Sequence, residues 1–343
     1  MSELKDFEII DGELISYSGD NSEVNIPETV KTITGICSRG KKNNIITNIN
    51  IPESVTSISS MAFAGCENLL NINVDEDNEN YSSYYGVLYD KLEKLLLSVP
   101  AGREGLFSIR ASAVTINPRA FYKCKKIKEV EIPEGMFTIG PGSFDSCTSI
   151  KKIFIPSTVK DISDSSFINC TNLTDIEVDE KNINYISSNG CLYKKTLREI
   201  EGLSEEISNY INNCLVKELF IVPEGQTGEF VTDENIIKIG NNSFRNCKKL
   251  NSVVITYGII TIGKNAFDNC TNLKTVSISE GVKEILSNSF SNCKKLKWVT
   301  IPESITYIDK DAFNSCPEIN LICKEGSYGE KFAIENNISF KSF

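Results

Sequence analysis

The sequence predicts a β-rich solenoid built from repeats of about 23 residues, and three observations carry this prediction. A Phe is followed three residues later by a Cys at eight places, the Phe residues within each block are 23 positions apart, and a strand-like apolar pattern follows each pair. A fixed period of this size is the signature of repeat units that stack along one axis. The eight pairs are Phe63/Cys66, Phe121/Cys124, Phe144/Cys147, Phe167/Cys170, Phe244/Cys247, Phe267/Cys270, Phe290/Cys293 and Phe313/Cys316.

The strand of each repeat is predicted from the last part of the unit. Aligned on the Phe, the unit reads I-P-x-x-V-x-x-I-x-x-x-(A/S)-F-x-x-C-x-x-L-x-x-V-x-I, as in residues 132–155. The L-x-x-V-x-I part alternates apolar and polar residues around β-branched side chains, which is typical of a half-buried strand. A proline often follows, as at Pro52, Pro133 and Pro156, and would end the ladder because it has no amide N–H.

The I-x-x-x-(A/S)-F-x-x-C part must turn the chain back, with its Phe and Cys filling the interior. Eight of the 12 cysteines therefore occupy structural ladder positions. We expect these thiols to be reduced and buried, because they recur in register beside an aromatic as small hydrophobic residues would. Stacked turns can nevertheless bring neighbouring thiols near disulfide range. The chain contains no Cys-x-x-Cys pair and no histidine.

Two interruptions of the period are related to each other. Residues 74–89 align with residues 178–193 at an offset of 104, and both contain Asn-x-Asn-Tyr followed by Gly-x-Leu-Tyr. Both are predicted as hairpins joined by turns that contain glycine. The second interruption is longer, and residues 203–215 place apolar residues at helical spacing after a candidate cap at Ser204. An inserted helix is predicted there.

The two ends differ from the middle, as the capping units of a solenoid do. Residues 6–24 are predicted to form a hairpin that turns at Asp11-Gly12. The first repeat, residues 26–51, is atypical because it lacks the Phe, and residues 326–337 are predicted as a short helix that closes the core.

These elements predict a single domain with about nine repeats of the 23-residue type, two longer coils that contain hairpins, and a cap at each end. Its predicted parts within residues 1–343 are an N-terminal hairpin cap (1–25), repeats with a first insertion at about 75–108 (26–178), a second insertion with the helix (179–229), further repeats (230–322) and a C-terminal cap (323–343).

The repeats resemble those of the BspA-like leucine-rich repeat family. The resemblance rests on the I-P-E-S-V-T-S-I stretch at residues 51–58, the Ala-Phe-x-x-Cys at residues 62–66 and their later copies, and it covers about residues 26–323. It implies a right-handed, curved leucine-rich repeat solenoid with a parallel sheet on its concave face. It implies much less about function, because fold and function separate easily.

Composition and charge exclude some classes of partner. The net charge of −10 argues against general binding to nucleic acids or anionic membranes. No apolar stretch approaches the roughly 20 residues that a membrane crossing needs. The N-terminus has no basic segment followed by an apolar run, so we see no signal peptide. On that basis the protein is expected in the cytoplasm, unless the chain as given lacks its export sequence, whereas the family resemblance implies the cell surface or secretion.

Catalysis and metal binding find little support in the sequence. Without histidine, Ser-His and Cys-His nucleophile pairs are impossible, and no glycine-rich loop that cradles phosphate occurs. The acidic residues are scattered at repeat spacing, and the cysteines are too regular for a zinc site. We therefore predict no enzyme activity, no catalytic or metal-binding residues and no cofactor.

Candidate binding residues are those that point outward from the predicted strands. Most are polar, and the apolar exceptions are Phe154, Val254 and Trp298, the only tryptophan. Exposed aromatics can anchor a partner, although isolated apolar residues are normal on surfaces and Trp298 can instead pack on the C-terminal cap. Lys152 is a further candidate because four carboxylates surround it in these columns; they favour a basic partner or simply form a solvated face.

Tyrosines gather in the two interruptions. Tyr84 and Tyr85 have no aromatic counterparts, because Ser188 and Asn189 align with them, and they are therefore the better candidates for recognition. Four others recur as pairs, which favours a structural role: Tyr81/Tyr185 and Tyr89/Tyr193.

The sequence thus predicts a non-enzymatic protein that binds another macromolecule through its sheet and insertions. The partner is expected to be a protein, or alternatively a glycan, and not a nucleic acid or a membrane interior; the chain is expected to be a monomer. The resemblance implies a cell-surface adhesin or a protein that interacts with a host. The alternative is an intracellular scaffold or regulatory module, which the missing signal peptide and the 12 cysteines favour.

Overall fold

The computed structural model describes residues 4–37, 45–196 and 216–343. The chain is a β-solenoid of about 13 turns of mostly parallel strands. The predicted fold class is confirmed, and the number of turns differs slightly from the predicted count of repeats, because the hairpins of the N-terminus and of both insertions also join the stacked sheets. The helix predicted over residues 203–215 lies outside the described residues.

The chain divides into two compact units, Met1–Asn172 and Leu173–Phe343. The single domain expected from the sequence, with its internal boundaries, stays a prediction. Within the described ranges no helix reaches the length and apolarity that a bilayer crossing requires.

The first unit begins with a 3-10 turn, Leu4–Asp6. Its strands, in chain order, are β1 (Phe7–Ile10), β2 (Glu13–Tyr17), β3 (Glu23–Asn25), β4 (Thr32–Ile33), β5 (Asn48–Ile51), β6 (Ser57–Ile58), β7 (Asn71–Val74), β8 (Tyr81–Tyr84), β9 (Val87–Asp90), β10 (Leu95–Ser98), β11 (Glu104–Ser108), β12 (Thr115–Ile116), β13 (Lys126–Glu131), β14 (Thr138–Ile139), β15 (Lys152–Ile155) and β16 (Asp161–Ile162).

Sheets of two kinds run through the first unit. The longer repeat strands β3, β5 and β7 pair in parallel, as do β11 and β13. The two-residue strands pair in parallel elsewhere: β4 with β6, β12 with β14, and β14 with β16. A hairpin lies at one end of each sheet that contains the two-residue strands. Hairpin β1–β2 turns at Asp11-Gly12, as predicted, and hairpin β8–β9 turns at Tyr85-Gly86.

The second unit repeats this plan. Its elements are β17 (Asp175–Val178), β18 (Tyr185–Ser188), β19 (Cys191–Thr196), β20 (Val216–Ile221), β21 (Gly228–Val231), β22 (Ile236–Ile239), β23 (Leu250–Ile255), β24 (Thr261–Ile262), β25 (Thr275–Ile278), β26 (Glu284–Ile285), β27 (Trp298–Ile301), β28 (Tyr307–Ile308), β29 (Asn320–Cys323), α1 (Tyr328–Glu335) and β30 (Ser339–Ser342). One sheet has the order β21-β23-β25-β27-β29-β30, and the other has the order β18-β19-β20-β22-β24-β26-β28.

The C-terminal segment forms the predicted short helix and one strand that the sequence did not predict. Ser327 caps helix α1 by accepting a hydrogen bond from the backbone N–H of Glu330. Phe332 of the helix is buried against the core, with its ring centroid 6.3 Å from that of Phe313. Strand β30 then pairs in parallel with β29 and continues the sheet.

The core between the two kinds of sheet contains stacked rows of Phe side chains. In the second unit the ring centroids of Phe244, Phe267 and Phe290 are separated by 4.4 and 4.9 Å, with the planes within 19° of parallel. In the first unit the rings of Phe121 and Phe144 stack at 4.7 Å. The predicted interior position of the Phe ladder is therefore confirmed at these turns.

The residue before each ladder cysteine has a left-handed backbone. Its φ lies between 59° and 63° at seven positions, and Gly65 before Cys66 has φ 96°. Asparagine tolerates this conformation better than most residues, which explains the recurring Asn-Cys pair. The seven positions are Lys123, Ser146, Asn169, Asn246, Asn269, Asn292 and Ser315.

Each thiol of the regular ladder donates a hydrogen bond to a carbonyl oxygen of the preceding turn. The distance from the Cys270 Sγ to the Phe244 carbonyl oxygen is 3.0 Å, and Cys147 and Cys293 repeat the contact at 3.1 Å. Burial raises the pKa of the ladder thiol Cys270. It also raises the pKa of the Cys191 thiol, which lies outside the ladder, to about 12. The thiols are therefore neutral and buried in the native protein.

Cys66 corrects the expectation that all ladder cysteines are free. It forms a disulfide with Cys37, which lies outside the ladder. The two Cα atoms are 5.9 Å apart, within the range that a disulfide spans. Nine other cysteines are free and buried among the described residues.

Asn78, the first asparagine of Asn-x-Asn-Tyr, explains why this motif accompanies the first insertion. The side chain is fully buried, and its Nδ2 donates to the carbonyl oxygens of Pro52 (2.9 Å) and Val55 (3.0 Å). Its Oδ1 accepts from the N–H groups of Asn80 and Tyr81, both at 2.9 Å. One amide therefore ties the insertion to the preceding turn.

Replacing Asn78 with Ala is expected to destabilise this part of the first unit by about 2–4 kcal/mol, because it strands buried donors and acceptors. Hydrogen exchange of the amides in residues 45–100 measures how far the substitution lowers the free energy of local opening. Asn80→Ala, at an exposed position two residues away, is the control and should change exchange little. Equal changes in hydrogen exchange for the two substitutions would show that the buried amide of Asn78 does not hold the insertion to the preceding turn.

Candidate binding surface on the first insertion

The residues singled out from the sequence lie on separate elements. In the second unit, Val254 lies on β23 and Trp298 on β27. In the first unit, Lys152 and Phe154 lie on β15, whereas Tyr84 and Tyr85 are at the β8–β9 turn. No single site within either unit therefore collects all of its candidates.

Trp298 is only partly exposed, and Lys341 of the C-terminal strand β30 lies over its ring. The Lys341 Nζ lies 4.8 Å from the centroid of its ring, within cation–π distance. This contact supports the alternative role, packing against the C-terminal segment, that the sequence left open.

Phe154 and Val254 differ in exposure. Phe154 is exposed, and Val254 is half-buried between Val231 and Ser277, its register partners on the neighbouring strands. Each is a single apolar side chain on a mostly polar strand face, which is ordinary for a protein surface. Both stay candidates, with no further contact to support them.

Tyr84 and Tyr85 form an exposed aromatic pair. Their rings meet edge to face with centroids 4.5 Å apart, and Tyr85 is 78% exposed. The guanidinium of Arg110 lies 3.9 Å above the ring of Tyr84 and forms an ion pair with Glu93 at 2.7 Å. The stacked arginine holds Tyr84 in place and leaves Tyr85 facing solvent.

Arg103 fastens the turn to the neighbouring strand. Its guanidinium donates to the Tyr85 carbonyl oxygen, to Asn71 Oδ1 at 3.2 Å and to the Leu70 carbonyl oxygen at 3.0 Å. A groove of about 320 Å³ opens beside it. The groove is lined by Leu70, Asn71, Arg103, Glu104, Leu106 and Phe107.

Together these side chains make one surface of aromatic, aliphatic and cationic groups. Leu106, on the wall of the groove, is 56% exposed, and Leu70 is also exposed. We call this the tyrosine surface; it comprises Leu70, Tyr84, Tyr85, Arg103, Leu106 and Arg110.

The second insertion has the same backbone at the same place. The Gly102 N–H donates to the Leu69 carbonyl oxygen at 2.8 Å, and Gly225 repeats this bond to Leu173 at 2.8 Å. The Ile72 N–H donates to the Gly86 carbonyl oxygen at 2.9 Å, and its counterpart Ile176 donates to Gly190 at 2.8 Å. The two insertions are therefore structural copies, and their side chains can be compared position by position.

At the positions of the tyrosine surface, the second insertion carries only polar or acidic side chains. The offset is 104 before the segment between β19 and β20 and 123 after it. The pairs are Leu70/Thr174, Tyr84/Ser188, Tyr85/Asn189, Arg103/Gln226, Leu106/Glu229 and Arg110/Asp233. Because both sets fold into the same backbone, the fold does not require the apolar and cationic set.

The second set forms its own hydrogen-bonded cluster around Asp233. Asn189 Nδ2 and the Tyr193 hydroxyl each donate to its carboxylate at 2.9 Å. Burial acts to raise the pKa of Asp233, but the hydrogen bonds from Ser188, Tyr193 and Asn189 outweigh it and hold this pKa below its ordinary value. The second insertion therefore carries a hydrogen-bonded cluster around a charged carboxylate at the positions where the first insertion exposes two tyrosines.

The backbone at Tyr85 strengthens this contrast. Tyr85 has φ 47° and Asn189 has φ 49°, both in the left-handed region. Asparagine is favoured at such hairpin turn positions, whereas a residue with a bulky side chain pays about 1–2 kcal/mol there. The first insertion thus carries a tyrosine where folding favours asparagine.

The sequence identified the two tyrosines but missed the side chains around them. Leu70, Arg103, Leu106 and Arg110 stood out in no motif. Aligning the two insertions on both sides of the length difference at residues 197–215 would have found them, because all four counterparts are polar or acidic: Thr174, Gln226, Glu229 and Asp233. Of the four tyrosines predicted to be structural, Tyr89, Tyr185 and Tyr193 are buried, whereas Tyr81 is half-buried and its hydroxyl accepts a hydrogen bond from the Ile58 N–H at 3.1 Å.

Side chains that can ligate a metal ion do not converge in the described part of the chain. Residues 4–37, 45–196 and 216–343 contain no group of three or more Cys, Asp or Glu side chains placed to hold a metal ion.

Comparison with solved structures shows the same fold in bacterial proteins. A leucine-rich cell surface protein from Faecalibacterium prausnitzii A2-165 is 20% identical, with a TM-score of 0.57 over all of this chain and 96% of that chain. The pneumococcal vaccine antigen PcpA is 16% identical, with a TM-score of 0.52 over 94% of this chain and 89% of that chain. A leucine-rich repeat protein from Eubacterium ventriosum is 25% identical, with a TM-score of 0.50 over 86% of this chain and 64% of that chain.

Comparison with curated proteins finds no significant match. The family model for the BspA type leucine-rich repeat region matches in six copies, over residues 6–97, 106–217 and 225–329. These matches span most of the chain, and the repeat register in the structure agrees with them: the chain belongs to the BspA-type leucine-rich repeat family.

Proposed function

We propose that this protein binds a protein partner through the tyrosine surface. Leucine-rich repeat proteins generally bind proteins. The observation that carries the proposal is the contrast between the two insertions, since one backbone supports a satisfied polar cluster in one copy and exposed Tyr84 and Tyr85 in the other. Tyrosine and arginine are the residue types enriched among binding hot spots.

The geometry of the surface favours a protein over a sugar. Leu70 and Leu106 offer exposed aliphatic area beside the groove, which suits an apolar side chain of a partner. The rigid Tyr84–Tyr85 pair adds aromatic area at low entropy cost, because a tyrosine has few rotatable bonds. A polar rim surrounds this centre at Glu104 and Asn71, as in protein interfaces.

We place this binding at the cell surface, where the protein acts in attachment to a partner cell or host. The solved structure from Faecalibacterium prausnitzii carries the description of a cell surface protein. The Cys37–Cys66 disulfide also favours an oxidising location, because disulfides rarely persist in the cytosol. The alternative, an intracellular scaffold, is favoured by the nine free cysteines of the described residues. Labelling intact cells with a reagent that does not cross membranes distinguishes the two: an adhesin is labelled and a scaffold is not.

Site-specific photo-crosslinking tests the proposed surface. A photoreactive phenylalanine at position 85 is expected to capture a defined partner protein from cell-surface extracts. The same residue at position 189 is the matched control, because it lies in the same turn of the other insertion. Capture of the same proteins at both positions, or at neither, would contradict the proposal.

The captured partner then allows an affinity measurement. Tyr85→Asn is expected to raise its Kd by about 10–30-fold, the range of a hot-spot residue. Asn189→Tyr, the reciprocal change, should leave the Kd unaltered. An unchanged Kd for Tyr85→Asn would place the partner elsewhere on the molecule.

A further inference from the structure

A row of lysines crosses three successive turns of the second unit, at the edge where the ladder turns lead into the sheet of β23, β25 and β27. All six are exposed. They are Lys248, Lys249, Lys274, Lys294, Lys295 and Lys297, and we call them the lysine edge.

The backbone stacks these residues in register. The Lys274 N–H donates to the Asn251 carbonyl oxygen and the Lys297 N–H donates to the Lys274 carbonyl oxygen, both at 2.8 Å. Lys295 Nζ donates to Asn272 Oδ1 at 2.8 Å, and Asn272 Nδ2 donates to the Lys248 carbonyl oxygen at 2.7 Å. Adjacent parallel strands are about 4.8 Å apart, so six ammonium groups project from about 10 Å of the stack.

The lysine edge keeps most of its charge uncompensated. Lys248, Lys274, Lys294, Lys295 and Lys297 form no ion pair with a carboxylate of the described residues, whereas Lys238, Arg245 and Lys324 of the same unit do. The carboxylate of Asp268, in the middle turn, is held by Arg245 at 3.3 Å. Glu318 occupies the position of Lys295 in the following turn, where the basic row ends.

We propose that the lysine edge binds a sulfated polysaccharide. The net charge of the chain is −10, so this concentration of positive charge is local and opposes the general charge of the protein. Clustered lysines with rotatable ammonium groups suit the dispersed anions of such a chain, whereas planar arginine forks suit bidentate contacts. This proposal goes beyond the tyrosine surface, which lies in the first unit.

The surroundings of the row favour a sugar over a single-stranded nucleic acid. Asn251 is exposed and precedes Lys274 and Lys297 in the same column of stacked residues, where its amide can hydrogen bond to sugar hydroxyls. Proteins that bind single strands use several exposed aromatics on which bases stack. Among the described residues at this edge, Trp298 alone follows a row lysine, and Lys341 already covers its ring at 4.8 Å.

Binding to immobilised heparin at about 0.15 M salt tests the proposal. The test variant is Lys274→Gln/Lys295→Gln/Lys297→Gln. The matched control is Lys264→Gln/Lys283→Gln/Lys310→Gln, which removes the same charge from exposed lysines of the same unit away from the row. Thermal unfolding of both variants shows that each is folded.

The wild type is expected to bind heparin but not its desulfated form. The test variant should bind at least about tenfold more weakly and depend less on salt, because three lysines of the row remain, while the control stays within about twofold of the wild type. Equal weakening by the control variant, absence of heparin binding by the wild type, or equally tight binding of single-stranded oligothymidylate would each overturn the proposal.

Discussion

Replacing Phe267 with alanine is expected to lower the free energy of unfolding of the second unit by about 3–5 kcal/mol. Phe267 is fully buried, and its ring stacks on Phe244 at 4.4 Å and on Phe290 at 4.9 Å. In a solenoid each turn packs only on its neighbours, so a cavity in one turn breaks the contacts on both sides. Urea unfolding followed by the fluorescence of Trp298, the single tryptophan, measures the loss in this unit.

Tyr257→Ala is the matched control for this measurement. It removes an aromatic ring from the same unit, but Tyr257 is 73% exposed. Its cost should remain near 0.5 kcal/mol, the usual range for surface substitutions. A small loss for Phe267→Ala, equal to that of the control, would mean that the stacked rings do not hold the turns together.

Raising the pH above about 8.5 is expected to destabilise the protein steeply, through its buried thiols. Burial raises the pKa of Cys124, Cys147, Cys247 and Cys270. An unfolded thiol ionises near pH 8.5, whereas the native thiol stays protonated. The native state therefore binds more protons, and each such thiol lowers the free energy of unfolding by about 1.4 kcal/mol per pH unit above that value.

This stabilisation is fully present below pH 8.5 and is lost as the pH rises toward the native pKa of each thiol. Cys270→Ala isolates one thiol. At pH 7 the variant should be less stable than the wild type, because it loses a buried group. The difference should shrink by about 1.4 kcal/mol per pH unit above pH 8.5 and then reverse. The control is Phe267→Leu, which removes no titrating group. Its difference from the wild type in free energy of unfolding should not depend on pH. If the difference for Cys270→Ala were also independent of pH, ionisation of the buried thiol on unfolding would not be the cause.

The repeat core was predictable because every turn of the solenoid has to meet the same packing requirement. Every turn must bury a strand, a Phe and a Cys against its neighbours, so Phe244, Phe267 and Phe290 recur at a fixed spacing that needs no knowledge of the fold. The hairpin turn at Asp11-Gly12 was predictable for a local reason, since two left-handed residues favour Asp and Gly.

Features that depend on side chains from distant parts of the chain were not predictable. The Cys37–Cys66 disulfide joins a residue outside the ladder to one inside it, so the period conceals the pair. Arg103 meets Asn71 and the Tyr85 carbonyl oxygen only after the first insertion folds back on β7. Strand β30 follows the helix and has too short an apolar pattern to distinguish it from a tail.

The two proposed surfaces use different parts of the repeat. The tyrosine surface lies where an insertion interrupts the period, and the lysine edge lies on regular turns. Regular turns leave their exposed positions free to vary, since the Phe and Cys ladder supplies the packing. Binding residues can therefore change in either place without loss of the fold.

The stability of the double variant Tyr84→Ser/Tyr85→Asn, measured together with its affinity for the crosslinked partner, tests the central claim most directly. The claim is that the two tyrosines serve recognition and not folding. The loss of the Arg110 contact with Tyr84 should be offset by relief of the left-handed backbone at Tyr85. We predict a free energy of unfolding within about 1 kcal/mol of the wild type together with lost partner binding. A loss of more than about 2 kcal/mol, or unchanged binding, would show that the tyrosines belong to the fold.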